Sequence, residues 1–167
     1  MTLSMHTASA PVLARMLRNL AVWLEKAQAH ADAKGFDSAN YLSMRLAPDM
    51  LPFISQVRIA GDIARMTMAR LAGAELPKWP DDEATLATLI VRVRKAADAV
   101  EAFSAADVQG SAAKEIMVPQ RGRDPLVFNG LSFLQTWAVP NVFFHTTMAY
   151  ALLRHAGVDI GKADYLG

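Results

Sequence analysis

Four histidines, a scatter of carboxylates and no cysteine are the raw material for chemistry in this 167-residue chain. His145 stands out among them. It falls on the apolar stripe Leu131, Leu134, Ala138, Val142, His145, Met148 and Leu152, whose steps of three and four match the helix period. Two readings compete for it. One is a core histidine whose ring nitrogens bond a helix carbonyl or a neighbouring side chain. The other is a pocket residue serving as metal ligand or general base.

Trp137, Asn141, Phe144 and Tyr150 would line such a pocket with His145, or else pack around a proline kink at Pro140. Asp62 reads as a surface pairing residue or as a carboxylate that reaches His145. Asp49 reads as a helix N-cap or as an acid–base partner. Arg154 suits a helix C-terminus, where a cation meets the negative end of the dipole. A mononuclear metal site needs three or more ligands, and the positions one turn either side of His145 are Asn141 and Ala149. His155 would stand about 15 Å further along the same helix, too far to share a metal with His145. The RGRD turn (121–124) reads as a solvated loop tip, with anion binding as the sharper alternative. No glycine-rich phosphate loop, HExxH, GxSxG or Glu-x-x-His pair occurs.

The elements that would hold these residues are helices. The first is expected from Ser9 or Ala10, with Ser9 as N-cap and Pro11 in the first turn, to a stop at Gly35. Its core stripe is Leu13, Met16, Leu17, Leu20, Leu24 and Ala27, and His30 near its end reads as solvated. Phe36 to Ala47 is a connector with one short helical turn. The second helix, entered at Asp49, runs to about Ala72 before Gly73. Its apolar line is Ile54, Val57, Gly61, Ala64, Met68 and Leu71, and Arg58 and Asp62 are spaced to pair on the polar side. Gly61 in mid-helix costs about 1 kcal/mol against alanine, which points to a close crossing there.

GAELPKWPDDEAT is a loop that hands over to a third helix capped by Asp81 or Asp82. That helix has Leu86, Leu89, Ile90, Val93, Ala97 and Val100 inside and Arg92, Arg94 and Lys95 outside. KEIMVP and PLVF around QRGRD predict a short β-hairpin. The last helix spans Leu131 to Ala156, capped by Asn129 or Ser132, kinked at Pro140 and ended by Gly157. The tail should pack back through Val158, Ile160 and Tyr165. These elements describe a single all-α domain over residues 1–167, a four-helix bundle with a hairpin between helices three and four.

Composition narrows the function classes. Hydrophobic residues make up 53% and charged ones 20%, so the chain can bury a substantial core. Seventeen basic and sixteen acidic side chains leave a net charge of +1, which gives no electrostatic case for nucleic acid or an acidic membrane surface. The absence of cysteine removes disulfides, thiolate metal sites and a cysteine nucleophile. Arg15, Arg18 and Asn19 interrupt the N-terminal apolar run that a signal peptide would need. No stretch has the ~18 uninterrupted apolar residues of a membrane span. A cytoplasmic protein is the expectation. Nine methionines suit an adaptable apolar pocket as well as a core.

Three stretches carry a family resemblance: LSMHTASAPVLARMLRNL at the start, RLAPDMLPFISQV before the second helix, and the ending PNVFFHTTMAYALLRHAGVDIGKADYLG. Over essentially its whole length the chain resembles the DUF1993 family of uncharacterised bacterial proteins, within the DinB-like, YfiT-type four-helix bundles. The resemblance implies that bundle fold and a homodimer. In the metal-binding members of the wider superfamily three histidines hold the ion, one on the second helix and a His-x-x-x-His pair on the fourth. Here the second helix has no histidine, and the fourth has His145 with Asn141 and Ala149 at the flanking positions. The expectation is therefore a homodimeric module that binds a small ligand or a partner, with no metal triad and no cofactor. The alternative is a metal-dependent or acid–base transferase or hydrolase centred on His145, with a divalent cation as cofactor.

Overall fold

The computed structural model describes residues 3–75 and 78–167. Met1 and Thr2 of the N-terminal stretch, and Leu76 and Pro77 of the expected proline-bearing loop, lie outside the described residues.

Helix α1 (Met5–Lys34) starts a turn earlier than its apolar stripe suggested. Ser4 caps it in a reciprocal box: the Ser4 hydroxyl accepts from the Thr7 N–H at 3.1 Å, and the Thr7 hydroxyl accepts from the Ser4 N–H at 2.9 Å. Ser9 is therefore not the cap. It is buried inside the helix and donates its hydroxyl to the Met5 carbonyl at 2.6 Å. Pro11 then sits in the second turn on the solvent side, where the Thr7 carbonyl it leaves unpaired can meet water. The helix ends at Gly35 in the left-handed conformation (φ 72°), with the Phe36 N–H returning to the Ala31 carbonyl. A 3₁₀ turn (Ser38–Tyr41) follows and buries Tyr41. His30 is not solvated as expected, because its Nδ1 bonds the Tyr41 hydroxyl at 2.6 Å.

Helix α2 (Phe53–Ala72) begins after Pro52, so Asp49 caps nothing and lies exposed in the preceding turn. Helix α3 (Leu86–Glu101) is capped by Thr85 in a second threonine box with Thr88, not by Asp81 or Asp82. The reason is electrostatic. The acidic loop is drawn instead onto α2 and α3, where Glu83 and Asp81 meet Arg58 and Arg92. Arg92, expected on the wet face, is buried to 5% side-chain exposure as a result. Arg58 does not pair with Asp62, which binds Arg65 at 2.9 Å and Arg92 at 3.1 Å. At the α2–α3 crossing a Cβ on Gly61 would lie 3.3 Å from the Ala96 Cβ, so the close approach expected there is present.

Strands β1 (Glu115–Gln120) and β2 (Arg123–Asn129) form the hairpin. They run antiparallel, with Ile116 opposite Phe128, Met117 opposite Val127 and Val118 opposite Leu126, and an irregularity before Gln120. Gly122 turns the chain at φ 70°. Ile116 and Val118 point into the core, whereas Met117 and Val127 are exposed.

The last long helix, α4 (130–155), is wound in three pieces: an α turn Gly130–Ser132, a π-helical stretch Phe133–Ala138 and an α-helix Val139–His155. Asn129 caps it by accepting from the Ser132 N–H at 2.8 Å. Pro140 was expected to kink an ordinary helix. Without an N–H it cannot serve the Thr136 carbonyl, and the chain meets this by widening the preceding turn, with the Val139 N–H reaching the Leu134 carbonyl five residues back. After Gly157 a short helix α5 (Lys162–Leu166) docks on α1. Five helices, α1 to α5, are thus present among the described residues, and the molecule is mostly helical with one antiparallel hairpin. Helix α1 packs on α3 and α4, and α2 packs on α3 and α4, around one apolar core. Val158 and Ile160 of the tail are buried in it, and Tyr165 packs against it.

Candidate functional site

The α2–α4 seam contains one buried polar pair. Phe53, Val57, Ala60 and Ala64 form the inward line of α2, and Gln56 stands beside them at 2% exposure. Its amide nitrogen donates to the Leu51 carbonyl at 3.1 Å, which turns its Oε1 toward α4. There it lies 2.7 Å from His145 Nδ1. An amide oxygen accepts only, so His145 Nδ1 must carry the proton. That leaves Nε2 as an unprotonated lone pair whenever the ring is neutral. Among the described residues Nε2 meets no hydrogen-bond partner, and His145 as a whole is 9% exposed. Phe144 stands edge-on to the imidazole, with ring centroids 5.2 Å apart.

Burial pushes the His145 imidazolium toward deprotonation and lowers its pKa below the usual histidine value. The unfolded chain therefore binds the proton more readily than the folded one. The stability this contributes is complete above the unfolded value of about 6.5 and shrinks as the pH falls below it. Replacing Gln56 by Glu puts a carboxylate against Nδ1–H and should raise the His145 pKa. An NMR titration of the His145 ring protons reads this directly, and an unchanged midpoint would show that residue 56 does not face Nδ1.

The other candidate residues fall into separate groups. Trp137 stacks on Phe133 with centroids 5.3 Å apart, and the Arg70 guanidinium lies 5.9 Å from its ring centre. Asn141 is turned back along its own helix, donating to the Trp137 carbonyl at 2.6 Å. Tyr150 meets Trp23 and Tyr165 edge-on at 5.5 and 5.6 Å. It lines a shallow surface depression with Thr147, Lys162 and Tyr165. Asp62 is committed to Arg65 and Arg92. Arg154 is exposed in the last turn of α4, and its carbonyl accepts from the Gly157 N–H. Sequence reasoning missed Gln56. The available signal was a polar residue three positions after Phe53, on the apolar side of its helix.

Larger cavities lie elsewhere: one of about 550 Å³ is lined by His6 at the start of α1 and by Ala105, Val108 and Gln109, and two others bear on the helix seams. One, of about 430 Å³, runs between the first turns of α1 and the start of α4 past Met5, Val12, Leu131 and Leu134. The other, of about 390 Å³, lies beside Trp79, Arg92 and Lys95. Among the described residues no three His, Cys, Asp or Glu side chains gather in a group that could hold a metal ion. No described helix is long and apolar enough to cross a membrane.

Long helices on one core with a hairpin ahead of the last of them define a mostly helical class of protein. Within that class the chain belongs to the DUF1993 family: the model for this domain of unknown function matches residues 5–166. A crystal structure of a DinB family member from Shewanella denitrificans is similar to it at 39% identity, with a TM-score of 0.87 over 97% of this chain and 91% of that one. No curated protein matches the chain.

Proposed function

We propose that this protein is a four-helix bundle of DinB-like type that binds a small, partly apolar ligand at the α2–α4 seam. His145 Nε2 is the acceptor that orients the ligand. The protein acts in the cytoplasm as a homodimer and without a metal. The observation that carries this reading is the His145–Gln56 pair, which fixes a neutral tautomer and leaves the Nε2 lone pair unengaged before any ligand arrives. A ligand hydroxyl or N–H meets an acceptor already oriented, so little ordering cost opposes binding. The donor set argues against the superfamily's three-histidine ion, because the α2 partner is an amide whose oxygen is already occupied by Nδ1–H. Exposed apolar side chains at Met117, Val127 and Leu131 offer a surface for the second protomer.

The free lone pair of Nε2 also favours a second reading, acid–base transfer or hydrolysis on His145. That reading needs a partner group from another element. Asp62 is six residues from Gln56 on α2, about 240° around the helix, and Asp49 is exposed in the turn before it.

Elemental analysis of tag-free protein and its His145→Ala variant separates the readings, together with an NMR titration by phenol, a small apolar molecule with one O–H donor. The expected result is no stoichiometric metal in either protein, and a saturable phenol shift of the His145 ring resonances. Stoichiometric zinc, nickel or iron that disappears in the variant would replace the ligand-binding reading with the enzyme.

A further inference from the structure

Arg70, in the last turn of α2, is half-buried and, among the described residues, has neither an ion pair nor a hydrogen bond from its guanidinium. Its Nη1 is fully enclosed with no acceptor. Its Nε and Nη2 are not enclosed, so one edge of the fork stays open to solvent. The guanidinium lies 5.9 Å from the ring centre of Trp137, within the range of a cation–π contact. Trp137 is itself half-buried, and the π-helical winding ahead of Pro140 is what presents it toward α2.

A second cation stands at the same helix end. Lys114 Nζ reaches the Leu71 carbonyl at 3.5 Å and, among the described residues, is paired with no carboxylate. Elsewhere in this fold, buried guanidinium groups are matched: Arg92 meets Asp62, Asp81 and Glu83, and Arg65 meets Asp62. Arg70 is the exception among these. Burial lowers its pKa, which marks a charge held where nothing compensates it.

We propose that Arg70 and Trp137 form a carboxylate-binding site for a small planar organic acid, the carboxylate held by the Nε–Nη2 edge and the apolar body lying against the exposed edge of the half-buried indole. The geometry of the open edge decides for a carboxylate. Two parallel N–H groups match its two oxygens, while the indole edge alongside favours an acid with an apolar body over a bare tetrahedral anion. This site is distinct from His145. Fourteen residues of α2 separate Gln56 from Arg70, about 21 Å along the axis. Either site can fail without the other.

The test is an NMR titration with sodium benzoate at constant ionic strength, following the Trp137 indole N–H and the Arg70 Nε–H. Trp137→Phe identifies the indole signal. Both signals should shift saturably in the wild type and in the exposed control Arg154→Gln, and not in Arg70→Gln. Should Arg70→Gln fail to fold, Arg70→Lys keeps the charge and removes the fork, and it should weaken binding about tenfold or more. Three results overturn the proposal: no saturation by benzoate, unchanged binding in a folded Arg70 variant, or sodium phosphate acting as strongly as benzoate. The last would leave a non-selective oxyanion contact. The first would leave an arginine held only by the helix dipole and the ring.

Discussion

Replacing Arg92 by leucine should destabilise the protein by about 3 kcal/mol, read as a lower urea midpoint at an unchanged slope. Arg92 ties the loop before α3 to both helices beneath it. Its Nη1 donates to Glu83 and to the Pro80 carbonyl, each at 2.7 Å, and its Nη2 donates to Asp62 at 3.1 Å and pairs with Asp81 at 3.1 Å. Glu83 and Arg92 are only 9% and 5% exposed at their side chains, so solvent screens their pair little. Removing one member of a buried pair leaves the other charge desolvated, which costs about 3–5 kcal/mol. The lower end applies because Glu83 keeps Arg58 at 2.7 Å and Asp62 keeps Arg65 at 2.9 Å.

The acid limb of the stability curve should change with it. Burial alone would raise the Glu83 pKa, but hydrogen bonds from Arg92, from its own backbone and from Arg58 outweigh it and hold the carboxyl below its ordinary range. A depressed carboxylate contributes stability that is complete above the unfolded value of about 4.3 and is lost as the pH falls through the folded value. Urea midpoints measured from neutral pH down through that window should fall steeply in the wild type and less steeply in Arg92→Leu. A variant within 1 kcal/mol of wild type would mean that the loop is held by Trp79 and its packing, with the ion pairs incidental.

Gly130→Ala should cost about 3 kcal/mol or more, although alanine is the better helix former by about 1 kcal/mol. Gly130 opens α4 directly after the hairpin, and a Cβ there would overlap the Ser111 carbonyl oxygen and carbon. That carbonyl cannot easily move. Ser111 is 3% exposed, its N–H bonds the Val108 carbonyl at 3.2 Å, and its oxygen accepts from the Lys114 N–H at 3.1 Å. Leu71 closes the third side at 3.5 Å. Relief would require α4 or the turn below the hairpin to shift as a unit. Gly35→Ala is the comparison: it meets nothing within 4 Å and should cost only the left-handed backbone strain, about 1 kcal/mol. Thermal melts of the two variants should differ by several degrees, and equal melting temperatures would show that the Ser111 turn yields freely.

Much of this architecture was legible because its helices bury one stripe. The inward residues of α1 and α3 follow the 3.6 period closely, and β-branched residues around Gly122 gave the hairpin. The helix starts were harder to place. Both boxed caps use threonine three residues on, at Thr7 and Thr88, where Glu or Gln is the familiar signal. Arg92 was misplaced because periodicity assigns a face by polarity. A cation paired with three carboxylates can occupy an inward position that polarity alone gives to solvent. The α4 stripe failed at one end for a different reason. Leu131 is 43% exposed while Leu134, Ala138 and Val142 are buried, since the wide turn between them changes the helical phase. At the site, His145 was visible as a lone titratable group among apolar neighbours. Gln56 and Arg70 gained meaning only when α4 was laid against α2, because pairing across 89 residues leaves no local signature.

The docking of α5 on α1 bears on the order in which the chain can be finished during synthesis. Trp23, fully buried in the first helix, gives its indole N–H to the Asp164 carbonyl, 141 residues later. Lys26 reaches the Asp164 carboxylate, Asn19 the Tyr165 carbonyl and Arg15 the Gly167 carbonyl. Until the ribosome has added residue 164, the Trp23 indole N–H lacks this protein acceptor, and the Trp23 face that Tyr165 covers stays open. A nascent chain truncated before α5 would thus expose an aromatic surface of the kind that chaperones engage. Closure of the Trp23 face therefore waits until α5 has left the exit tunnel.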